Sequence, residues 1–128
     1  MELVPCTEPY WEFVRLLRMD ERVAHGFIQN ADITPEQQKK YMAVHWTKFF
    51  IALVDEVPAG FVGCVDDEIR VCTHPDFQKR GVGVFMMREI MKRFPSALAK
   101  VKIENEASRR MMEASGLAVR FVIYGFER

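Results

Sequence analysis

Apolar residues recur at two different periods along the chain, and each change of period marks an element. Over Gly81–Phe94 the residues Val82, Phe85, Met86, Met87, Ile90, Met91 and Phe94 cover most of a helical circumference. Arg88, Glu89, Lys92 and Arg93 share the remaining arc. So wide an apolar face predicts a helix packed on a sheet. Upstream the period shortens. Phe49–Val54 is an apolar run of strand length, Asp55–Pro58 a turn and Ala59–Val65 a second strand, which together read as a hairpin. Asp66-Asp67 turns the chain into a third strand, Glu68–Thr73. His74-Pro75-Asp76 ends that strand, because proline has no N–H for a ladder and restricts the residue before it.

The N-terminal part reads as helical after a short strand, Glu2–Cys6. Thr7 caps a helix with Pro9 in its first turn, where a missing N–H costs nothing. Trp11, Val14, Leu17 and Arg18 then follow at helical spacing, which makes Trp11 a core residue. A second short helix is predicted within Asp20–Asn30. Thr34, Pro35 and Gln37 fit a capping box with proline at the first helical position, opening a helix to about Trp46. After the apolar helix, Ser96–Ile103 reads as a strand, Asn105 caps a helix to Ser115, Gly116 ends it, and Ala118–Phe126 is a last strand. This order predicts an α/β (α+β) layer fold with a mixed sheet.

The chain has 128 residues, so residues 1–128 are expected to form one domain. Eighteen basic residues balance eighteen acidic ones. That neutrality argues against nucleic acid or an anionic membrane as partner. The three cysteines, Cys6, Cys64 and Cys72, are far apart and form no metal-ligand spacing, so no metal is expected. Met1–Cys6 is too short for the apolar core of a secretory signal, and no stretch approaches the ~18 apolar residues of a membrane span. The expected location is cytoplasmic.

Gln78-Lys79-Arg80-Gly81-Val82-Gly83 joins a strand to the start of the apolar helix. A helix N-terminus carries unpaired N–H groups and partial positive charge, which attract phosphate. The glycines allow close backbone approach, and Lys79 and Arg80 add charge at the rim. A Walker loop is excluded because no Gly-Lys-Ser/Thr follows, and the dinucleotide fingerprint because Phe85 and Met86 stand where its third glycine would be. By itself the pattern also fits a strand–helix turn with glycines for packing.

The context decides between them. His74–Gly83 resembles the signature of the GCN5-related N-acetyltransferase (GNAT) superfamily, in which Gln or Arg, two residues, Gly, one residue and Gly or Ala precede a helix. A second block, Glu104-Asn105-Glu106-Ala107-Ser108 with Met111-Met112-Glu113 and Gly116-Leu117, resembles the family's later Asn–Ser–Glu–Gly segment. The resemblance covers residues 47–126 by motif and the first 46 by element order. It implies a GNAT-like splayed mixed β-sheet flanked by helices on both faces, with acetyl-CoA as co-substrate in the gap between Glu68–Thr73 and Ser96–Ile103. The pyrophosphate would rest on backbone N–H groups of Lys79, Arg80, Gly81, Val82 and Gly83, beside Gln78. The pantetheine would pair with Val71, Cys72 and Thr73 and be met by Asn105 and Ser108, and Arg109 or Arg110 would approach the adenosine phosphate.

The implied reaction is N-acetyl transfer to a primary amine of a small molecule, such as an amino sugar or amino acid, or of a protein. An amine attacks only when neutral, so a base is needed. Asp67 and Glu68 are the family-like carboxylates, and strand alternation sends them to opposite faces. His25, His45 or ordered water are alternatives. The family's thiolate-protonating tyrosine is replaced by Met112, which cannot donate a proton. Water, Tyr124, Ser115 or Cys72 could serve instead. Arg18 and Arg22 could hold an anionic acceptor. The competing reading is a non-catalytic acyl-CoA-binding regulatory module. The apolar Val122–Phe126 end could be core or a homodimer contact.

Overall fold

The sheet is built as a meander closed by two tight turns. In the structure, a computed structural model that describes residues 1–27 and 32–127, strand β2 (Phe49–Val54) pairs antiparallel with β3 (Val57–Val65), and β3 pairs antiparallel with β4 (Glu68–Thr73). Both connections are two-residue hairpins. Asp55 and Glu56 have φ of 50° and 68°, and Asp66 and Asp67 have 54° and 58°. Two successive positive φ angles give the turn whose twist matches the flanking strands, and aspartate tolerates that region better than most side chains. The first turn is tighter than the expected Asp55–Pro58. Pro58 lies inside β3 opposite Leu53, at a register shift and beyond the last residue paired with β4, so its missing N–H breaks no ladder. Strand β1 (Glu2–Pro5) adds beside β2, giving the order β1-β2-β3-β4.

Helices cover both faces of this sheet. Val14 and Leu17 of α1 (Trp11–Met19) and Met42 of α3 (Pro35–His45) pack on Phe49, Ile51, Phe61 and Cys72. The short α2 (Glu21–Ala24) follows α1 directly; the end of the helix expected to reach Asn30 falls at residues 28–30, outside the described residues. Trp11 Nε1 donates to Cys6 O at 2.9 Å, and the buried Gln38 donates Nε2 to Trp11 O at 2.9 Å, so Trp11 ties β1, α1 and α3 together. The predicted capping box is present: Thr34 Oγ1 accepts from Gln37 N–H, and Gln37 Oε1 accepts from Thr34 N–H. On the other face α4 (Val82–Arg93) seats Val82, Met86, Met87 and Ile90 against Val62, Cys64 and Ile69. Each such side chain contributes about 1.5–3 kcal/mol when taken fully out of water. Helix α5 (Glu106–Ala114) follows, and Gly116 has the left-handed φ of 94° that ends a helix.

Two expected strands differ. Ser96–Ile103 makes one parallel bridge, Leu98 to Glu68, and is otherwise irregular, so the sheet's mixed character rests on that bridge. Ala118–Phe126 forms no strand, and Phe121, Ile123, Tyr124 and Phe126 are exposed. Beyond Leu98 the chain parts from β4, so Ser96–Ile103 offers no continuous ladder edge and the C-terminal segment has no backbone partner to pair with.

Candidate active site

β4 is the last strand of the sheet. On its outer side Ile69 N–H donates to Leu98 O at 2.9 Å, and Leu98 N–H donates to Asp67 O at 2.8 Å. No further bridge follows among the described residues, and a cleft of about 1080 Å³ opens between Ile69–Thr73 and Ala99–Val101. Backbone groups alternate sides along a strand. Residues 67 and 69 face outward, so Val71 and Thr73 also present theirs to the cleft, while His74 N–H points back to Ala59 O.

The cleft continues to the N-terminus of α4. Gly81, the residue preceding that helix, has φ of 82°, and Lys79 has φ of 62°. Left-handed residues interleaved with ordinary ones turn successive N–H groups inward, which makes an anion-binding concavity. No side chain caps this helix end, and its first turn contains no acidic residue. Its N–H groups are therefore open to an anion. Gly81 is there for its backbone. Gly83 is there for packing: a Cβ on it would overlap Met111 Sδ. Across the cleft, Asn105 Oδ1 accepts from Ser108 N–H at 3.1 Å and so caps α5. Lys102 Nζ donates to His25 O at 2.7 Å, joining the α2 segment to the far wall.

A family model described as the acetyltransferase (GNAT) family matches residues 11–117. The chain belongs to that family. Among solved structures, spermidine N-acetyltransferase from Vibrio cholerae, in complex with CoA and spermine, superposes with a TM-score of 0.76 at 14% identity, covering 97% of this chain and 88% of that one. A GNAT acetyltransferase from Bacillus anthracis gives 0.70 at 19% identity, covering 89% and 77%. The aminoglycoside N-acetyltransferase AAC(6')-Iy, in complex with CoA, gives 0.72 at 15% identity, covering 99% and 93%. At such identities these likenesses establish the shared GNAT fold. A comparison with curated proteins gave no significant match.

Within this GNAT fold the cleft gathers Glu68, Val71, Cys72, Thr73, Gln78, Lys79, Gly81, Val82, Gly83, Asn105 and Ser108, together with Arg18, Arg22, His25 and Arg110. Asp67, Arg80 and Tyr124 do not border it. Asp67 is spent on the β3–β4 turn and the Leu98 bridge. Arg80 lies over the Phe77 ring at 5.3 Å, and Tyr124 is 90% exposed on the C-terminal segment. Glu68 lies 3.3 Å from Lys100, another cleft residue. Burial pushes the Cys72 thiol up to about 12, so it stays protonated near neutrality. Asp20 is held at about 2, chiefly by the Arg22 side chain, which donates to it at 2.7 Å, and also by the Arg22 backbone N–H.

Arg70 was not among the residues the sequence singled out, yet it lines the cleft beside Cys72. A signal was present. Glu68, Arg70 and Cys72 alternate with Ile69 and Val71, so a charged pair shares one face of an otherwise apolar strand.

Proposed function

We propose that residues 1–128 act as one catalytic unit, an N-acetyltransferase that moves an acetyl group from acetyl-CoA to the primary amine of a small molecule. The observation that carries this reading is the cleft between the open edge of β4 and the uncapped, left-handed entry to α4. That pair of features suits one elongated ligand with an amide-bearing arm and a pyrophosphate. Val71 and Thr73 offer strand-type hydrogen bonds to the arm, and backbone N–H groups of Lys79–Gly83 receive the pyrophosphate. Asn105 and Ser108 flank the arm on its far side.

The chemistry then needs little. The thioester carbonyl lies at the outer edge of β4, where an outward N–H polarises it and holds the developing oxyanion. Glu68 accepts the proton that the amine loses, directly or through one water. Asp67, next to it, does not border the cleft. The leaving thiolate belongs to a thiol of pKa about 8.5, so it departs without an acid, and Met112 in the tyrosine's place is tolerable. Tyr124, on the exposed C-terminal segment, has no part in this step.

A second reading is an acyl-CoA-binding module without turnover. It is favoured by the Glu68–Lys100 contact at 3.3 Å, which occupies the carboxylate assigned as base. Thiol release from acetyl-CoA over a broad amine panel separates the two. Amine-dependent release supports the transferase. Tight acetyl-CoA binding with no amine-dependent release supports the module.

A further inference from the structure

The protein is neutral overall, but its cleft is not. Arg18, Arg22, Arg70, Lys79, Lys100 and Arg110 line it, and Glu68 is the one carboxylate that does so among the described residues. Lys79 belongs to the loop before α4, Arg110 pairs with Glu106 at 3.3 Å, and Lys100 is committed to Glu68. Arg22 pairs with Asp20 at 2.7 Å and Asp76 at 3.6 Å. That leaves Arg18 of α1 and Arg70 of β4.

These two are unusual. The Nε–H of each is buried without a hydrogen-bond acceptor among the described residues. Neither pairs with a carboxylate among those residues. Burial, and then the charge of Arg70, lower the Arg18 guanidinium below its ordinary value. The Phe27 ring, 5.2 Å from Arg18 Cζ, gives partial compensation. Two like charges with orphaned donors in one cleft are costly unless something anionic joins them. A guanidinium fork matches a carboxylate in geometry as well as charge. Around them the wall is apolar and aromatic: Phe27, Tyr41, Phe49 and Phe61.

Resting on the acetyltransferase reading above, we infer that the acceptor is an amino carboxylate, whose carboxylate is bound by Arg18 and Arg70 while its amine faces Glu68. Glu68 and Arg70 share a face of β4 with Cα atoms about 6.6 Å apart, so one strand reaches both ends of a small amino acid. Polycationic amines are disfavoured by the same arginines. The step balances simply: a C–N bond forms, the C–S bond breaks, the amine proton passes to Glu68, and the electron pair leaves on sulfur.

The test uses the full chain loaded with CoA. Titration calorimetry measures binding of the standard α-amino acids and short ω-amino acids, each against its carboxamide and its aminophosphonate analogue. At least one carboxylate should bind about tenfold or more tightly than its carboxamide. Arg18→Met and Arg70→Met should each reduce that preference to about twofold or less while acetyl-CoA affinity stays within about twofold. Both variants should unfold at the same or higher temperature without ligand, since each removes an orphaned buried donor. A purely structural role would lower it. Equal binding of carboxylates and carboxamides, tighter binding of phosphonates, or no binding of any carboxylate overturns the inference. Thiol release is read in parallel. Release with neutral or cationic amines alone sinks the acceptor class and keeps the transferase. Carboxylate binding without release with any amine does the reverse.

Discussion

Gly83 lies directly under Met111: a Cβ on Gly83 would overlap Met111 Sδ and stand 3.2 Å from its Cγ, so the methionine would have to shift. Helices α4 and α5 therefore meet through a missing side chain. Gly83→Ala should cost about 1 kcal/mol, the low end of overpacking, because the flexible Met111 side chain gives way. Met111→Ala in the same chain should recover part of that loss. Urea unfolding of the two single variants and the double variant checks the coupling. Additive losses would show that the two positions do not share this space.

The cysteines give a second prediction. Burial pushes Cys6 and Cys72 up to about 12, and Cys64 is also raised by burial. A raised thiol stays neutral in the folded protein well above its ordinary range, and the thiolate is the reactive form. Iodoacetamide at neutral pH should leave all three unmodified until denaturant is added. Mass spectrometry of the folded protein reads this out. Rapid labelling of Cys72 would show that β4 is more open than its packing indicates.

The Asp20–Arg22 pair at the start of α2 predicts an acid limb. The folded carboxyl is depressed from 3.8 to about 2. A depressed carboxyl contributes stability above its unfolded pKa, and that contribution is lost as pH falls through the folded value. Asn is an equally good cap, so Asp20→Asn isolates the charge. The stability gap between wild type and Asp20→Asn should be constant at neutral pH and close between about pH 3.8 and 2. Denaturation midpoints across pH measure it. A gap that persists below that window would assign the difference to another group.

Glu68→Gln should lower kcat/KM for the acceptor by about a hundredfold or more, as loss of a general base does, while acetyl-CoA affinity stays within about twofold. Asp67→Asn should leave turnover nearly unchanged provided the β3–β4 turn holds. Steady-state kinetics with both variants decides between the two carboxylates. Equal losses would contradict the assignment of Glu68.

The meander, α4, the α3 capping box and the α5 cap were legible because each rests on local chemistry: strand alternation, Thr34 with Gln37, and Asn105 with Ser108. The loop glycines were legible in position, and both backbone approach and packing were legible as roles, but not which glycine serves which. Gly81 answers to backbone conformation and Gly83 to Met111, a partner 28 residues away that no local pattern reveals. The strands at Ser96–Ile103 and Ala118–Phe126 were misread because β-pattern shows that a segment can pair, not that the fold holds it against an edge. Arg70 was passed over for a related reason: its significance depends on Arg18, brought to it by the fold.

The central claim is that the cleft between β4 and Ala99–Val101 is the acetyl-CoA site. A crystal structure of the full chain with acetyl-CoA tests it most directly. The account predicts the pyrophosphate within hydrogen-bond distance of backbone N–H groups of residues 79–83, the pantetheine paired with Val71, and the thioester facing the side of β4 that carries Glu68 and Arg70. A pyrophosphate held away from the α4 N-terminus, or a pantetheine that does not touch β4, would contradict it.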